Sequence, residues 1–319
     1  MKNIIYPALF FSFLIVSCDM ETVIDLDILP HEPVLVLNGL LDTDTNAQLV
    51  VSHSVGAFSD LVPAFIDNAN VVLYKDNDSV CSLLPDMTEQ VYVYYMDSDY
   101  NTDSLPMYYY KSDYTPEKDA TYTVEVNHSD YPSISAETFI PDDITVYNIV
   151  VDTTSHEDKV GLTFSFDDNA NQQNYYRLKV FSSCIKEWEG EYGDNQQWGY
   201  RGDAYMMSND PSFPGDIPWE GYTFFGHRVV FSDALFNGQQ KTITLDVQSE
   251  FKYGECDTVI IRFSTFSDDT YSYYNSLGDH SEKGELGLFG GEVIPVYSNV
   301  ENGLGVLIST NAQQIYLKP

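Results

Sequence analysis

A period of two runs through this chain and confines it to a small set of folds. Val160-Leu162-Phe164-Phe166 places alternate side chains on one face, with Thr163 and Ser165 on the other. Tyr122-Val124-Val126, Ile243-Leu245-Val247 and Val259-Ile261-Phe263 repeat the pattern. Successive side chains of a strand point to opposite faces, so these stretches read as half-buried strands, and Val, Tyr, Phe and Thr bring the matching propensity. Turn clusters such as "KDND", "DDNANQQN", "FNGQQ" and "ENGLG" separate them at the spacing of an all-β sandwich.

The spacing predicts strands near 34–40, 47–55, 69–75, 90–96, 107–111, 121–127 and 133–139, a sandwich-sized set. Pro141 cannot donate to a ladder and Asp142-Asp143 favour a turn, so a boundary is expected in "FIPDDITV". Further strands are expected near 144–151, 160–166, 175–183, 227–231, 241–247 and 258–265, then a terminal pair near 304–309 and 313–317. These divide the chain into residues 31–140 and 141–319. One segment departs from the alternation. "SDDTYSYYNSLG" offers Ser267 or Asp268 as N-cap and sets Tyr271, Tyr274 and Leu277 on one side, which predicts a short helix over 268–277. Residues 187–226 hold all three tryptophans among glycines, prolines and aspartates, and read as an irregular excursion with room for a short hairpin.

The start of the chain bears on location. Ile4 to Val16 is an apolar run interrupted by Asn3, Pro7 and Ser12 at its edges and within it, with Lys2 ahead of it. About 13 helical residues span roughly 20 Å, short of a ~30 Å hydrocarbon layer, so residues 1–17 read as a signal peptide. Ile15-Val16-Ser17-Cys18 then supplies one small residue and a thiol. A sulfur nucleophile can carry a thioether-linked diacylglycerol, and the new amine can be acylated, which together exceed the two-signal threshold for stable anchoring. Cys18 is therefore read as the lipid-attachment residue of a bacterial lipoprotein, and 18–30 as its linker. The alternative is an ordinary signal peptide with a chance cysteine. Asp19, Glu21, Asp25 and Asp27 follow at once, a pattern compatible with inner-membrane retention or with outward export.

With 49 acidic and 15 basic residues the chain carries a net charge of −34. Such a surface repels phosphate backbones and anionic lipid, which excludes nucleic acid and a basic membrane patch as modes of binding. It admits cations, a basic protein surface or neutral sugars as partners, and it also serves solubility. Beyond Cys18 three cysteines remain, Cys81, Cys184 and Cys256, so at most one disulfide forms among them, with Cys184 and Cys256 the pair if their strands are neighbours.

Signatures of chemistry are sparse. Six scattered histidines form no HExxH, and there is no GxSxG, Walker sequence or GxGxxG opening a helix. An enzyme is not expected, and no cofactor. "DNDS", "DSDYNTD" and "DDNANQQN" resemble fragments of calcium loops, yet none completes the twelve-residue pattern, so acidic turns are the reading and a structural Ca²⁺ the alternative. Trp188, Trp198, Tyr200 and Trp219 are the candidate contacts for a partner or ligand, because exposed aromatic faces stack on sugars and fill partner pockets; a local core that holds the excursion is the other reading.

The C-terminal third carries recognisable text: "FSDALFNGQQKTITLDV", "VIIRFSTFSDDTYSYYNSL" and, most specifically, "YSNVENGLGVL". With "LVLNGLL", "NANVVLY" and "TYTVEV" in order before them, the chain resembles the Bacteroidota lipoprotein family catalogued as domain of unknown function 4249. In "NGLG", Asn302-Gly303 is read as a tight turn, Gly305 as a close backbone approach, and Asn299 and Glu301 as groups that hydrogen-bond the turn or hold a cation. The resemblance implies an immunoglobulin-like N-terminal β-sandwich, then a second β-rich part. It also implies an outer-membrane lipoprotein, often encoded near TonB-dependent receptors, and it favours outward export over retention. It carries no catalytic residues. One departure is the ending: "VLISTNAQQIYLKP" stands where the family commonly closes on a Phe-rich segment.

The expectation is thus a non-enzymatic lipoprotein, facing periplasm or exterior, that works as partner of a TonB-dependent receptor or other envelope protein. Its rivals are a carbohydrate-binding or adhesive module using the tryptophans, and a hydrolase with an unrecognised site.

Overall fold

Alternating apolar residues build two cores, and the computed structural model shows how one chain joins them. It describes residues 31–56, 64–96, 102–154, 159–189, 195–215, 221–248, 256–284 and 294–318. The first core lies between strands β1 (Leu35–Asp42), β2 (Gln48–His53), β3 (Asn70–Lys75), β4 (Asp78–Met96), β5 (Thr102–Lys111), β6 (Ala120–His128) and β7 (Tyr131–Ile140). One layer runs β1-β2-β5-β4 and the other β4-β3-β6-β7. Leu35, Leu37, Leu49 and Val51 of the first layer pack against Leu73, Tyr122, Val124 and Ile134 of the second. Tyr110 is fully buried, and its hydroxyl donates to the Ile66 carbonyl and accepts from the Ala69 N–H, 2.9 Å each.

Strand β4 serves both layers. Up to Leu83 it pairs with β3, and from Leu84 it pairs with β5. Pro85 follows the switch, and the β4–β5 ladder shifts register between Asp86 and Gln90. The β3–β4 hairpin turns on Asp76 (φ 50°) and Asn77 (φ 75°), two left-handed residues that suit a type I′ turn. The calcium-like "DNDS" is thus a hairpin turn, and most of "DSDYNTD" lies outside the described residues.

The chain passes to the second core between Ile140 and Ile144, where Pro141 ends β7. There follow β8 (Val146–Asp152), β9 (Lys159–Asp167), β10 (Tyr175–Glu189), β11 (Asn195–Asp203), β12 (Tyr205–Ser208), β13 (Phe224–Gly226), β14 (Val229–Ser232), β15 (Gln240–Gln248) and β16 (Cys256–Phe266). A five-stranded sheet, β13-β12-β15-β9-β8, faces β11-β10-β16, with β14 also on β10. Phe164, Leu162, Ile243 and Leu245 meet Leu178, Val180, Ile261 and Phe263 between them. Phe166, Tyr176, Phe231 and Phe236 cluster with Phe263, and the buried Tyr176 hydroxyl donates to Asp168.

Helix α1 (Asp268–Gly284), β17 (Val300–Glu301) and β18 (Leu304–Leu317) complete the order. Ser267 caps α1, its Oγ accepting from the Thr270 N–H at 3.4 Å. The helix runs past its expected end at 277, because Gly278 faces open space and has no left-handed φ. A glycine without that φ weakens a helix by about 1 kcal/mol and does not stop it.

The expected terminal pair of strands is instead one strand. Leu304 to Thr310 of β18 pairs parallel with β1, and Asn311 to Leu317 pairs antiparallel with β16. One sheet therefore runs through both cores, and Pro33–Pro319 is one compact unit. No described helix is long and apolar enough to cross a membrane.

Candidate functional site

Where the cores meet, polar side chains replace apolar ones. The Ser309 hydroxyl donates to the Phe139 carbonyl at 2.6 Å, and Thr138 donates to Ser309 at 3.0 Å. Thr270 of α1 accepts from the Ser309 N–H and donates to its carbonyl, 2.9 Å each, so one hydroxyl completes the strand edge. The Asn311 amide donates to the Pro141 carbonyl at 3.1 Å, and Arg262 pairs with Asp42 at 3.1 Å. Beside this seam opens a cleft of about 410 Å³, lined by Phe139, Gln172, Asn174, Tyr175, Thr265 and the start of α1.

The acids of that cleft are engaged. Tyr175 donates to Asp268 at 2.7 Å and Tyr297 to Asp269 at 2.5 Å. Burial, then the hydrogen-bonded carboxylate, pushes both phenols above their usual range. They stay protonated as donors, and the two carboxylates sit in the first turn of α1, where negative charge offsets the helix dipole. Deeper in, Asn174 donates to Asp233 through its backbone at 2.8 Å; burial, with a contribution from Asp168, holds the Asp233 carboxyl above the ordinary range. These groups organise the backbone. Nothing among them pairs a nucleophile with a base.

A second cleft, about 370 Å³, lies against the five-stranded sheet and includes Asn209, Asp210, Tyr222, Thr242 and Asp246. Lys241 pairs with Asp210 at 2.7 Å, with the two side chains only 13% and 8% exposed. Tyr222 donates to Asp246. A third cleft, about 540 Å³, opens beside Cys81, Asp86 and Lys111. Cys81 is a half-buried free thiol that donates to Ser112 at 3.5 Å. Among the described residues, no three His, Cys, Asp or Glu side chains converge as a metal-ligand group.

Next to the third cleft rises a feature that spacing alone missed. From Gln90 to Met96, β4 pairs residue for residue with Thr102 to Tyr108 of β5. Among the described residues, the β2 pairing stops at Tyr110 and Lys111, and the β3 pairing at Leu83. Beyond the buried Met107 and Tyr108, which packs on Phe65, the strands thus leave both layers as a two-stranded ribbon. Tyr92 and Tyr94 are 50% and 71% exposed on one face, and Val93 is 48% exposed on the other.

Of the sequence candidates, Cys18 and Trp219 lie outside the described residues. The expected irregular excursion contains β11, β12 and β13, and its first part extends the β10 ladder. Trp188 is opposite Gln196, Trp198 opposite Lys186, and Tyr200 opposite Cys184, so these three candidates fall in the backbone ladder of one antiparallel hairpin. Cys184 is also the register partner of Cys256, since β10 and β16 are neighbours.

The Asn302 turn is placed where expected. Asn302 has φ 58° and Gly305 φ 103°, and a Cβ on Gly305 would come within 2.0 Å of the Leu37 carbonyl. Gly303 is equally confined, with Ile134 and the Leu35 carbonyl under 3 Å from a Cβ. The Asn299 amide donates to the carbonyls of Glu137 and Leu307 at 2.8 Å, and its oxygen accepts from the Leu307 N–H at 2.9 Å. Glu301 accepts from Ser135 at 3.5 Å.

Comparison with known proteins gives one family. Residues 21–315 match the family model described as Domain of unknown function (DUF4249). No curated protein matches the chain.

Proposed function

Because the chain belongs to the family described as a domain of unknown function (DUF4249), we propose that it is a non-enzymatic accessory lipoprotein of the bacterial outer membrane. Cys18 carries the acyl chains, and the folded unit serves a TonB-dependent receptor or another envelope complex. The observation that carries this reading is the outer part of the β4–β5 ribbon, where Tyr92 and Tyr94 are 50% and 71% exposed and no third strand pairs with them among the described residues. The engaged carboxylates of the seam cleft support a binding role over a chemical one. The leader "FLIVSCDMET" supports the anchor. A detergent pull-down of the tagged chain from its own envelope tests the proposal. Stoichiometric recovery of a barrel receptor is the expected result, and recovery of the chain alone overturns it. Cys18→Ser is expected to release the mature chain from the membrane fraction; unchanged retention would remove the anchor from the proposal.

A second reading, a carbohydrate-binding or adhesive module, is supported by the occurrence of Trp188, Trp198 and Tyr200 within the one β10–β11 hairpin. Glycan-array binding that is lost in Trp198→Ala with the fold intact would support it.

A further inference from the structure

A two-stranded ribbon with both faces wet is marginal on its own in water. Beyond its base, where Met107 is 5% exposed and Tyr108 packs on Phe65, the β4–β5 ribbon extends through five register pairs, Tyr92 with Pro106 to Met96 with Thr102, without a third strand among the described residues. Its exposed side chains are of the kind that anchor interfaces. Tyr92 and Tyr94 offer large, stiff, amphipathic rings at a low cost in side-chain entropy, and Met87 at the base adds an adaptable apolar surface, 51% exposed. Elsewhere on the molecule, Leu235 and Tyr316 are exposed singly, as scattered apolar residues commonly are.

Charge says what the ribbon meets. Between Leu84 and Lys111 the chain has five carboxylates, Asp86, Glu89, Asp97, Asp99 and Asp103, against one lysine. That lysine is engaged at the base, at 3.0 Å from Asp86 and 2.5 Å from Glu89. The hairpin sequence thus joins exposed aromatic and apolar side chains to a net negative charge. A second copy would bring the same negative charge on a chain of net charge −34, so self-association is opposed. An anionic lipid surface is opposed for the same reason. A protein surface with an apolar centre and Lys or Arg around it fits both features.

We propose that the β4–β5 ribbon is the docking element of this chain, and that its occupant is a basic protein surface that packs on Tyr92, Val93 and Tyr94. The proposal rests on the partner-protein reading above and adds where contact occurs and what chemistry the partner presents. The test uses the full-length chain in its own envelope, with the photo-crosslinker p-benzoylphenylalanine placed at Tyr94 and, as control, at Leu235. The expected result is one adduct from position 94, absent from 235, whose crosslinked partner peptide lies in a Lys/Arg-rich surface. Its yield falls about tenfold or more in Tyr92→Ser with Val93→Ser, and falls on raising salt from about 0.05 M to about 0.5 M. A circular dichroism melt of the double variant confirms that the fold persists; if it does not, Tyr92→Ser alone is used. Adducts between two copies of the chain, equal yields at 94 and 235, an acidic partner peptide or no adduct overturn the proposal. A receptor recovered equally by the tagged wild type and the ribbon variant overturns the docking element and leaves the accessory role standing. A basic partner that is not a receptor does the reverse for the transport reading.

Discussion

Asn299 holds three backbone groups with one side chain. It bonds both the N–H and the carbonyl of Leu307, as a neighbouring strand would, and also reaches the Glu137 carbonyl. Replacement by alanine leaves those groups without partners around a fully buried Leu307, at a cost of about 2–3 kcal/mol, measurable as a lower urea midpoint. Asn299→Asp should cost a similar amount, because a carboxylate cannot donate to two carbonyls. At Gly305, alanine must accept φ 103° and a 2.0 Å approach to the Leu37 carbonyl, so a loss of at least about 3 kcal/mol or a failure to fold is expected. Asp86 offers a pH test. Bonds from the Thr88 hydroxyl and N–H, then Lys111, lower its pKa to about 2. A depressed carboxylate contributes stability above its unfolded pKa and loses it as pH falls through the folded value. An NMR titration should therefore find Asp86 charged down to about pH 2, and Thr88→Ala should move its midpoint up towards 3.8. The turn at Asn302 was legible because few residues tolerate positive φ. The clamp by Asn299 was not, since its partners are 162 and 8 positions away.

Elements show where pattern reading works and where it stops. Strands with one wet face, such as β6 and β15, alternate cleanly and match their expected spans. β18 does not alternate in its middle: Ser309, Thr310 and Asn311 are all buried, in a seam that satisfies Ser309 and Asn311 with backbone carbonyls. Polar letters there suggested a break between two strands, whereas tertiary hydrogen bonds make them interior. β4 was seen only from residue 90 because Pro85 and the change of partner disrupt its period. The placement of the ribbon was likewise illegible, as exposure on both faces depends on which strands fail to accompany it. The helix yields a prediction of opposite sign. Gly278→Ala adds a Cβ into open space and reduces the freedom of the unfolded chain, so α1 and the whole protein should gain about 0.5–1 kcal/mol, read as a raised thermal midpoint.

At the scale of the molecule, β18 makes two cores one. Its first half lies on β1 and its second on β16, so neither core can open without exposing the strand it shares. Scanning calorimetry should show a single transition with calorimetric and van't Hoff enthalpies agreeing to within about 10%. Removal of residues 311–319 should lower the stability of both cores, visible as lost amide protection in β1 as well as in β16. The position of β1 has a mechanical consequence. It is flanked by β18 running parallel and β2 running antiparallel, and is paired on both edges from Val36 to Gly39. Tension on the chain ahead of Leu35, applied along the strand axis, would have to slide β1 past both neighbours and strain many bonds at once. A peeling geometry would break them one by one under a far smaller load. The N-terminal strand of the folded unit is thus built in the shear-resistant orientation.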